Sequence, residues 1–190
     1  MRIRTFHWLF LAGLSLLVVA ACSRPAPPPD FRLTATIKDI MDSMVDKHAD
    51  VLWDSVATIV SAAGTEERQP RTDDEWKNVR QSAITLVEAT NLLIMDGRKV
   101  AKPGEKSENP GIELGPEEIQ KVLDADRAAF VKYAHGLHDA AMKALNAIDA
   151  KNAQGLSDAG ESIDEACEQC HLKYWYPNTL QAAEATKAKS

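Results

Sequence analysis

Residues 156–177 read LSDAGESIDEACEQCHLKYWYP, and the rest of the chain can be interpreted outward from this stretch. Its apolar and sulfur-containing side chains recur in steps of three and four, which is the spacing of one face of an α-helix. The members of this stripe are Leu156, Ala159, Ile163, Cys167, Cys170 and Tyr174. Because proline cannot continue helical hydrogen bonding, Pro177 is predicted to end the helix.

Cys167, Cys170 and His171 form the motif C-x-x-C-H, and their spacing places them on one helix face. This is the attachment signature of c-type haem: both thiols add to haem vinyl groups, and the imidazole becomes the proximal iron ligand. A redox-active cysteine pair is expected near a βαβ pattern, which the sequence lacks. A zinc site would need a second Cys/His pair, and a disulfide here would constrain almost nothing. The motif therefore predicts one covalent haem c.

Three further helical stripes precede this helix. The first is predicted from about residue 33 to 63, the second from the capping box Thr72–Glu75 to about Gly97, and the third from Pro116 to a turn near Lys151. The first stripe consists of Ile37, Met41, Met44, His48, Val51, Ser55 and Ile59. The second consists of Trp76, Val79, Ala83, Leu86, Thr90 and Leu93, and the third of Phe130, Ala134, Leu137, Ala141, Leu145 and Ile148. A Pro- and Gly-rich loop of roughly twenty residues follows the second stripe.

No strand pattern is evident, so the sequence predicts an all-α fold. Four amphipathic segments joined mostly by turns predict an antiparallel four-helix bundle over residues 33–177, with C-x-x-C-H on the last helix. Residues 178–190 consist mainly of Ala, Lys, Glu and Thr and are predicted to form a frayed tail.

The amino terminus has the layout of an export signal. Two arginines in residues 1–4 precede a short apolar run, which ends in Val19-Ala20-Ala21-Cys22. This ending resembles the bacterial lipobox, which implies a lipoprotein-type signal peptide over 1–21 and lipidation of Cys22. The alternative is ordinary secretory cleavage that leaves Cys22 as a thiol. Residues 22–32 are proline-rich and predict a stiff tether to the membrane. By resemblance to known sorting signals, Ser23 favours the outer membrane.

Charge and cysteine usage narrow the function classes. The 190-residue chain carries 22 Lys+Arg against 28 Asp+Glu, a formal charge of -6, which argues against a nucleic-acid binder. Removal of residues 1–21 takes away Arg2 and Arg4 and leaves 20 basic against 28 acidic residues, a charge of -8. Lipid and haem together account for all three cysteines.

The motif and its sequel Leu172–Pro177, at the end of a predicted four-helix bundle, resemble the cytochrome c′ superfamily of class II c-type cytochromes. Residues 40–46 (IMDSMVD) and 49–53 (ADVLW) resemble the first helix of its low-spin, six-coordinate members. In this family the first helix covers the distal haem face, and low-spin members supply a methionine. The resemblance implies Met41 as the second iron ligand, with Met44 one turn away as the alternative. A methionine stripe is also compatible with simple core packing.

Other residues receive weaker assignments. Tyr174 and Trp175, one turn beyond His171, are predicted to cap the haem pocket. His48, two turns from Met41, is predicted to lie near the haem edge or the bundle end, or to be the distal ligand. Trp53 and Trp76 are predicted to pack in the core or at the haem edge. His135 and His138 are predicted to be surface or interhelical residues. The candidates for pairing a haem propionate are Arg80, Arg127 and Lys173.

Two function classes follow from these assignments. The first is an electron-transfer cytochrome without enzymatic turnover, because the acidic pairs Asp73-Asp74 and Glu117-Glu118 are helix-start charges and no other acid/base set is evident. Its partners would be periplasmic or membrane redox proteins, with basic surfaces favoured. The second is a five-coordinate haem protein that binds or senses small gases such as NO or CO. The family resemblance also implies a possible homodimer.

Overall fold

The computed structural model describes residues 30–177 and residue 179. The predicted signal peptide over 1–21, the lipidated Cys22, most of the tether 22–32 and nearly all of the tail 178–190 lie outside the described residues. The helices belong to a compact unit that begins at Leu33. Of the helices in the described part of the chain, none has the length and apolar character needed to cross a membrane.

The described chain is mostly helical, with one small antiparallel sheet. In chain order the elements are α1 (Ile37–Ile40), a π-helical turn (Met41–Val45), α2 (Asp46–Asp54), β1 (Thr58–Ser61), β2 (Gly64–Glu67), α3 (Asp73–Leu93), α4 (Pro116–Ala125), α5 (Arg127–Asp149) and α6 (Ala153–Tyr174).

Local hydrogen bonds fix where the helices begin. The predicted capping box at α3 is present: Thr72 accepts from the Glu75 N–H, and the Glu75 carboxylate accepts from the Thr72 N–H at 2.9 Å. At α6 the Asn152 side chain accepts from the Gly155 N–H at 3.0 Å, which confirms the predicted turn before this helix. These bonds satisfy donors that a helix start otherwise leaves unpaired.

The core forms where α5 packs against α3 and α6, and where α2 packs against α3 and α6. The predicted stripes of α3, α5 and α6 supply most of it. Their buried members are Trp76, Val79, Ala83, Leu86, Thr90, Leu93, Phe130, Ala134, Leu137, Ala141, Ile148, Leu156, Ala159, Ile163 and Tyr174. Burial of this apolar surface is the main force that holds the helices together.

The predicted first helix is too long, and the expectation of no strands is wrong. The helix ends at Asp54, and the segment with Ile59 forms the hairpin of β1 and β2, with Thr58 opposite Glu67 and Ser61 opposite Gly64. β-Branched residues dominate β1, and they lose side-chain freedom in a helix but fit a strand. Gly64 has φ +128, a conformation that other residues rarely adopt.

We call α1, the π-helical turn and α2 together the first helical segment. Its buried face also differs from the predicted stripe. Its buried residues are Ile37, Ile40, Val45, Ala49 and Leu52, whereas Val51 is exposed. The step of five between Ile40 and Val45 spans the π-helical turn, in which the Asp46 N–H donates to the Met41 carbonyl. A π-helical turn contains one residue more than an α-helical turn, so it shifts the register that regular periodicity predicts.

The predicted third helix is interrupted at Asp126, which has φ -143 and ψ 67. The Asp126 side chain accepts from the Ala129 N–H at 3.0 Å and starts α5 as a separate helix after α4. The predicted long loop is confirmed between α3 and α4, and Pro116 occupies the first turn of α4 as expected.

Candidate functional site

A cavity lies between the first helical segment and α6. Its volume is about 330 Å³, within the range of small-molecule sites, and its lining includes Met41, Phe130, Cys170, His171 and Tyr174. A second cavity of about 20 Å³ shares Met41, Phe130, Cys170 and His171 with the first and also contacts Cys167. The smaller cavity therefore brings the three motif residues and Met41 together.

Cys167 and Cys170 are half-buried free thiols on α6. Burial raises the pKa of Cys167 to about 12, with a further contribution from the Asp46 carboxylate, and raises the pKa of Cys170 to about 11. A redox-active C-x-x-C pair requires a lowered thiol pKa, because the thiolate is the nucleophile. The environment of these thiols thus does not favour dithiol redox chemistry.

His171 is half-buried beside them. Burial lowers the pKa of its imidazole, and the carboxylates of Asp46 and Glu168 oppose that shift in part. The indole of Trp175 contacts the imidazole edge-on, with ring centroids 4.9 Å apart and planes at 88°. Because a lowered pKa keeps the imidazole neutral at pH 7, His171 presents the form that binds metals.

Two residues at the ends of the π-helical turn line the cavities. Met41 and Asp46, joined by the backbone hydrogen bond of this turn, line both cavities, whereas Met44 lines neither and packs against the core. Partial desolvation raises the pKa of Asp46, and the nearby His171 opposes that change. Of the two methionines predicted as ligands, only Met41 faces the same space as His171.

Tyr174 contributes a buried polar group to the larger cavity. The residue is 4% exposed, and its ring makes edge-on contacts with Phe130 and Tyr133 at centroid distances of 5.6 and 5.8 Å. Its hydroxyl has no hydrogen-bond partner among the described residues, and burial raises its pKa to about 12. Buried hydroxyls without partners are rare, so this atom indicates a place for a polar ligand group.

The chain matches no family model, no curated protein and no solved structure. The assignment of this site therefore depends on its own residues. Within the described ranges, no group of three or more His, Cys, Asp or Glu side chains is placed to hold a metal ion. Haem iron makes a different demand on a protein, because the porphyrin supplies four nitrogens and the protein supplies only axial ligands.

Several predicted residues lie away from both cavities. His48 is half-buried outside them, and burial lowers its pKa. The Trp53 indole donates to the Gly160 carbonyl at 3.0 Å, and Trp76 is buried in the core. His135 is exposed, and His138 Nδ1 lies 3.5 Å from the Asp139 carboxylate. The structure thus does not place these side chains in the cavity lining.

The three residues predicted to pair with a haem propionate form ion pairs or hydrogen bonds with other groups of the protein. Arg80 Nε lies 2.6 Å from Asp149 Oδ1, Arg127 donates to the Ile94 carbonyl, and Lys173 Nζ lies 3.8 Å from Asp126 Oδ2. None of the three lines either cavity. Sequence reasoning missed the cations that do line the larger one, Lys38 and Lys106. Lys106 lies in the long loop, whose unusual length was the available signal.

Proposed function

We propose that this protein is a monohaem c-type cytochrome that carries electrons. Cys167 and Cys170 would hold haem c covalently, and His171 and Met41 would be the axial iron ligands. The observation that carries this proposal is that Met41, from the first helical segment, and Cys170 and His171, from the last helix, line the same cavity. The neutral imidazole, the thioether, the two free thiols and the unpartnered Tyr174 hydroxyl fit haem c.

Each residue has a distinct part in this function. Cys167 and Cys170 would hold the haem through two thioether bonds, each formed by addition of a thiol S–H across one vinyl double bond, so no leaving group is required. The bound group supplies a one-electron Fe(III)/Fe(II) couple. The Met41 sulfur would close the second axial position and favour the reduced state, which raises the potential. Leu123 and Phe130 are buried apolar residues in the lining of the larger cavity, and they exclude water from that side of it.

The helix packing supports a bundle-type cytochrome. We infer an antiparallel four-helix bundle in which α1–α2, α3, α4–α5 and α6 are the four legs and C-x-x-C-H lies on the last. The pairwise packing of α2, α3, α5 and α6 supports this architecture, as does the resemblance of the motif helix to the cytochrome c′ superfamily. The hairpin of β1 and β2 is an addition to that plan.

The location follows from the amino-terminal sequence. The export signal over 1–21 and the lipobox-like Cys22 support a lipid-anchored protein that faces the periplasm, with the outer membrane favoured by Ser23. The acidic charge balance favours redox partners with basic surfaces, through weak and salt-sensitive docking. A homodimer is compatible with this assignment.

Optical spectra of the purified protein, matured with its haem-attachment machinery, test the proposal. A pyridine haemochrome would show covalent haem, and we expect sharp reduced α and β bands with an oxidised methionine–iron band near ~695 nm. Absence of a haemochrome would refute the cytochrome assignment. A broad high-spin reduced spectrum that shifts with carbon monoxide would instead favour the five-coordinate gas-binding alternative.

A further inference from the structure

The loop between α3 and α4 forms one wall of the larger cavity. We call residues 98–115 the strap. At one end, the Ile37 N–H donates to the Lys99 carbonyl at 2.8 Å. At the other, the Leu114 N–H donates to the Trp175 carbonyl at 2.7 Å. The strap is therefore fastened both to the helix before Met41 and to the residues after His171.

Further bonds hold the middle of the strap in place. Lys102 Nζ lies 2.6 Å from Asp39 Oδ1, which ties the strap again to the first helix. Within the strap, the Ser107 hydroxyl and the Asn109 N–H both donate to Glu113, at 2.7 and 3.0 Å. The strap is thus tied to α1 on one side of Lys106 and bonded to itself on the other.

Of the two lysines that line the larger cavity, one forms ion pairs with carboxylates and, among the described residues, the other does not. Lys38 Nζ lies 2.9 Å from Asp42 and 3.3 Å from Glu108, so both carboxylates share one cation. Glu113 already accepts the strap hydrogen bonds. Lys106 also lines the cavity and forms no ion pair within the described part of the chain. It is thus the lining cation whose charge is available to a ligand.

We propose that Lys106 binds a propionate carboxylate of the haem, with the strap as the carboxylate-facing wall of the site. This inference rests on the proposed function. A lysine–carboxylate pair at a partly enclosed site is a charge-assisted interaction, stronger than a neutral hydrogen bond. The acidic groups Asp42, Asp46, Glu108 and Glu113 also line this cavity, so a carboxylate that enters it depends on the unpaired cation.

The pairing has a measurable redox consequence. Oxidised haem carries one more positive charge than reduced haem, so a nearby cation favours the reduced state. Replacement of Lys106 by a neutral or acidic residue should therefore lower the midpoint potential. Loss of the pair should also change the vibrational bands of the propionate groups, which report on their hydrogen bonding.

The experiment compares Lys106→Gln, Lys106→Glu and Lys106→Arg in the full haem-containing protein, with Lys99→Gln as the matched control. Lys99 is an exposed lysine of the same strap and does not line the cavity. Midpoint potentials at low ionic strength and resonance Raman spectra are the measurements. We expect a downward potential shift that is larger for Glu than for Gln, a propionate-band shift in both, and near-native values for Arg.

Two results would separate the claims. If Lys106→Gln and Lys99→Gln shift the potential equally and leave the propionate bands unchanged, Lys106 is not the propionate partner, while a haemochrome from the unsubstituted protein still supports the cytochrome. If the unsubstituted protein yields no haemochrome, the cytochrome proposal itself fails. Haem content equal to that of the unsubstituted protein shows that the variants are folded and loaded.

Discussion

The first and last helical segments both line the cavity, but they differ in regularity. α6 is an uninterrupted α-helix of 22 residues. Its inward face follows regular steps of three and four through Leu156, Ala159, Ile163, Cys167, Cys170 and Tyr174, of which the two cysteines are half-buried. The first segment passes through a π-helical turn of five residues, and its buried positions include a step of five. The periodicity of apolar residues in the sequence therefore identifies the buried face of a regular α-helix. It assigns the wrong residues to that face when the helix contains a π-helical turn, which adds one residue.

The largest expected effect concerns the regular helix. In Cys167→Ala/Cys170→Ala, neither of the two proposed thioether bonds can form, so we predict that no haem remains attached after denaturation. Gel electrophoresis with haem staining measures this directly. Cys22→Ala is the control, because it removes the one cysteine that is not part of C-x-x-C-H and should leave the stain unchanged. Covalent haem in the double variant would contradict the role of α6.

The next effect concerns the irregular segment. Met41→Ala should abolish the methionine–iron band and open the iron to carbon monoxide, because Met41 lines the cavity. Met44→Ala is a matched control on the same π-helical turn, since Met44 lines neither cavity. Oxidised spectra and carbon monoxide titration measure the difference. Loss of the band in Met44→Ala alone would reverse the assignment of the two methionines.

A contact between the two segments gives a smaller effect. A Cβ at Gly160 of α6 would lie 3.0 Å from Trp53 Cδ1 of α2, in the place where the Trp53 indole donates to the Gly160 carbonyl. Overpacking in Gly160→Ala should cost about 1–3 kcal/mol of unfolding free energy. The helix preference of alanine offsets about 1 kcal/mol of this cost, so the net change should be smaller, and the stability should fall below that of a Gly→Ala variant without the contact. Urea denaturation measures this change.

Gly136→Ala is the control for that substitution. Gly136 lies exposed in α5, and an added Cβ would meet nothing within 4 Å. Because alanine favours a helix over glycine by about 1 kcal/mol, this variant should gain stability. Equal destabilisation of both variants would show that the Trp53 contact is not the cause.

The smallest effect compares the starts of the two segments. The Thr36 side chain accepts from the Asp39 N–H, and the Asn152 side chain accepts from the Gly155 N–H. Thr36→Ala and Asn152→Ala should each lower the unfolding free energy by about 1 kcal/mol. Thermal unfolding followed by circular dichroism measures both. A cost near zero at either position would mean that its cap contributes little to the helix.

Local patterns predicted much of this structure. The stripes of α3, α5 and α6, the capping box at Thr72, and Pro116 at the start of α4 follow from helix periodicity and start chemistry. The hairpin was missed because four-residue strands carry too little periodic signal. The break at Asp126 was missed because the apolar pattern resumes directly after it.

Local sequence patterns also point to part of the cavity lining. C-x-x-C-H and Met41 identify the residues that share the cavity, and neighbouring sequence positions define the motif. Lys38 and Lys106 were missed as lining residues, because their approach to the cavity depends on how the strap folds back on α1 and α6. Contacts between residues that are far apart in the sequence produce no recognisable spacing pattern.

The π-helical turn Met41–Val45 makes the first segment sensitive to chain length as well as to side-chain identity. Deletion of one residue inside the turn would restore regular α-helical geometry and rotate the preceding turn by about 100° relative to α2. Met41 would then leave the cavity although Met41 itself is unchanged. Under the proposed function, the loss of one residue here would therefore leave the iron without its second ligand.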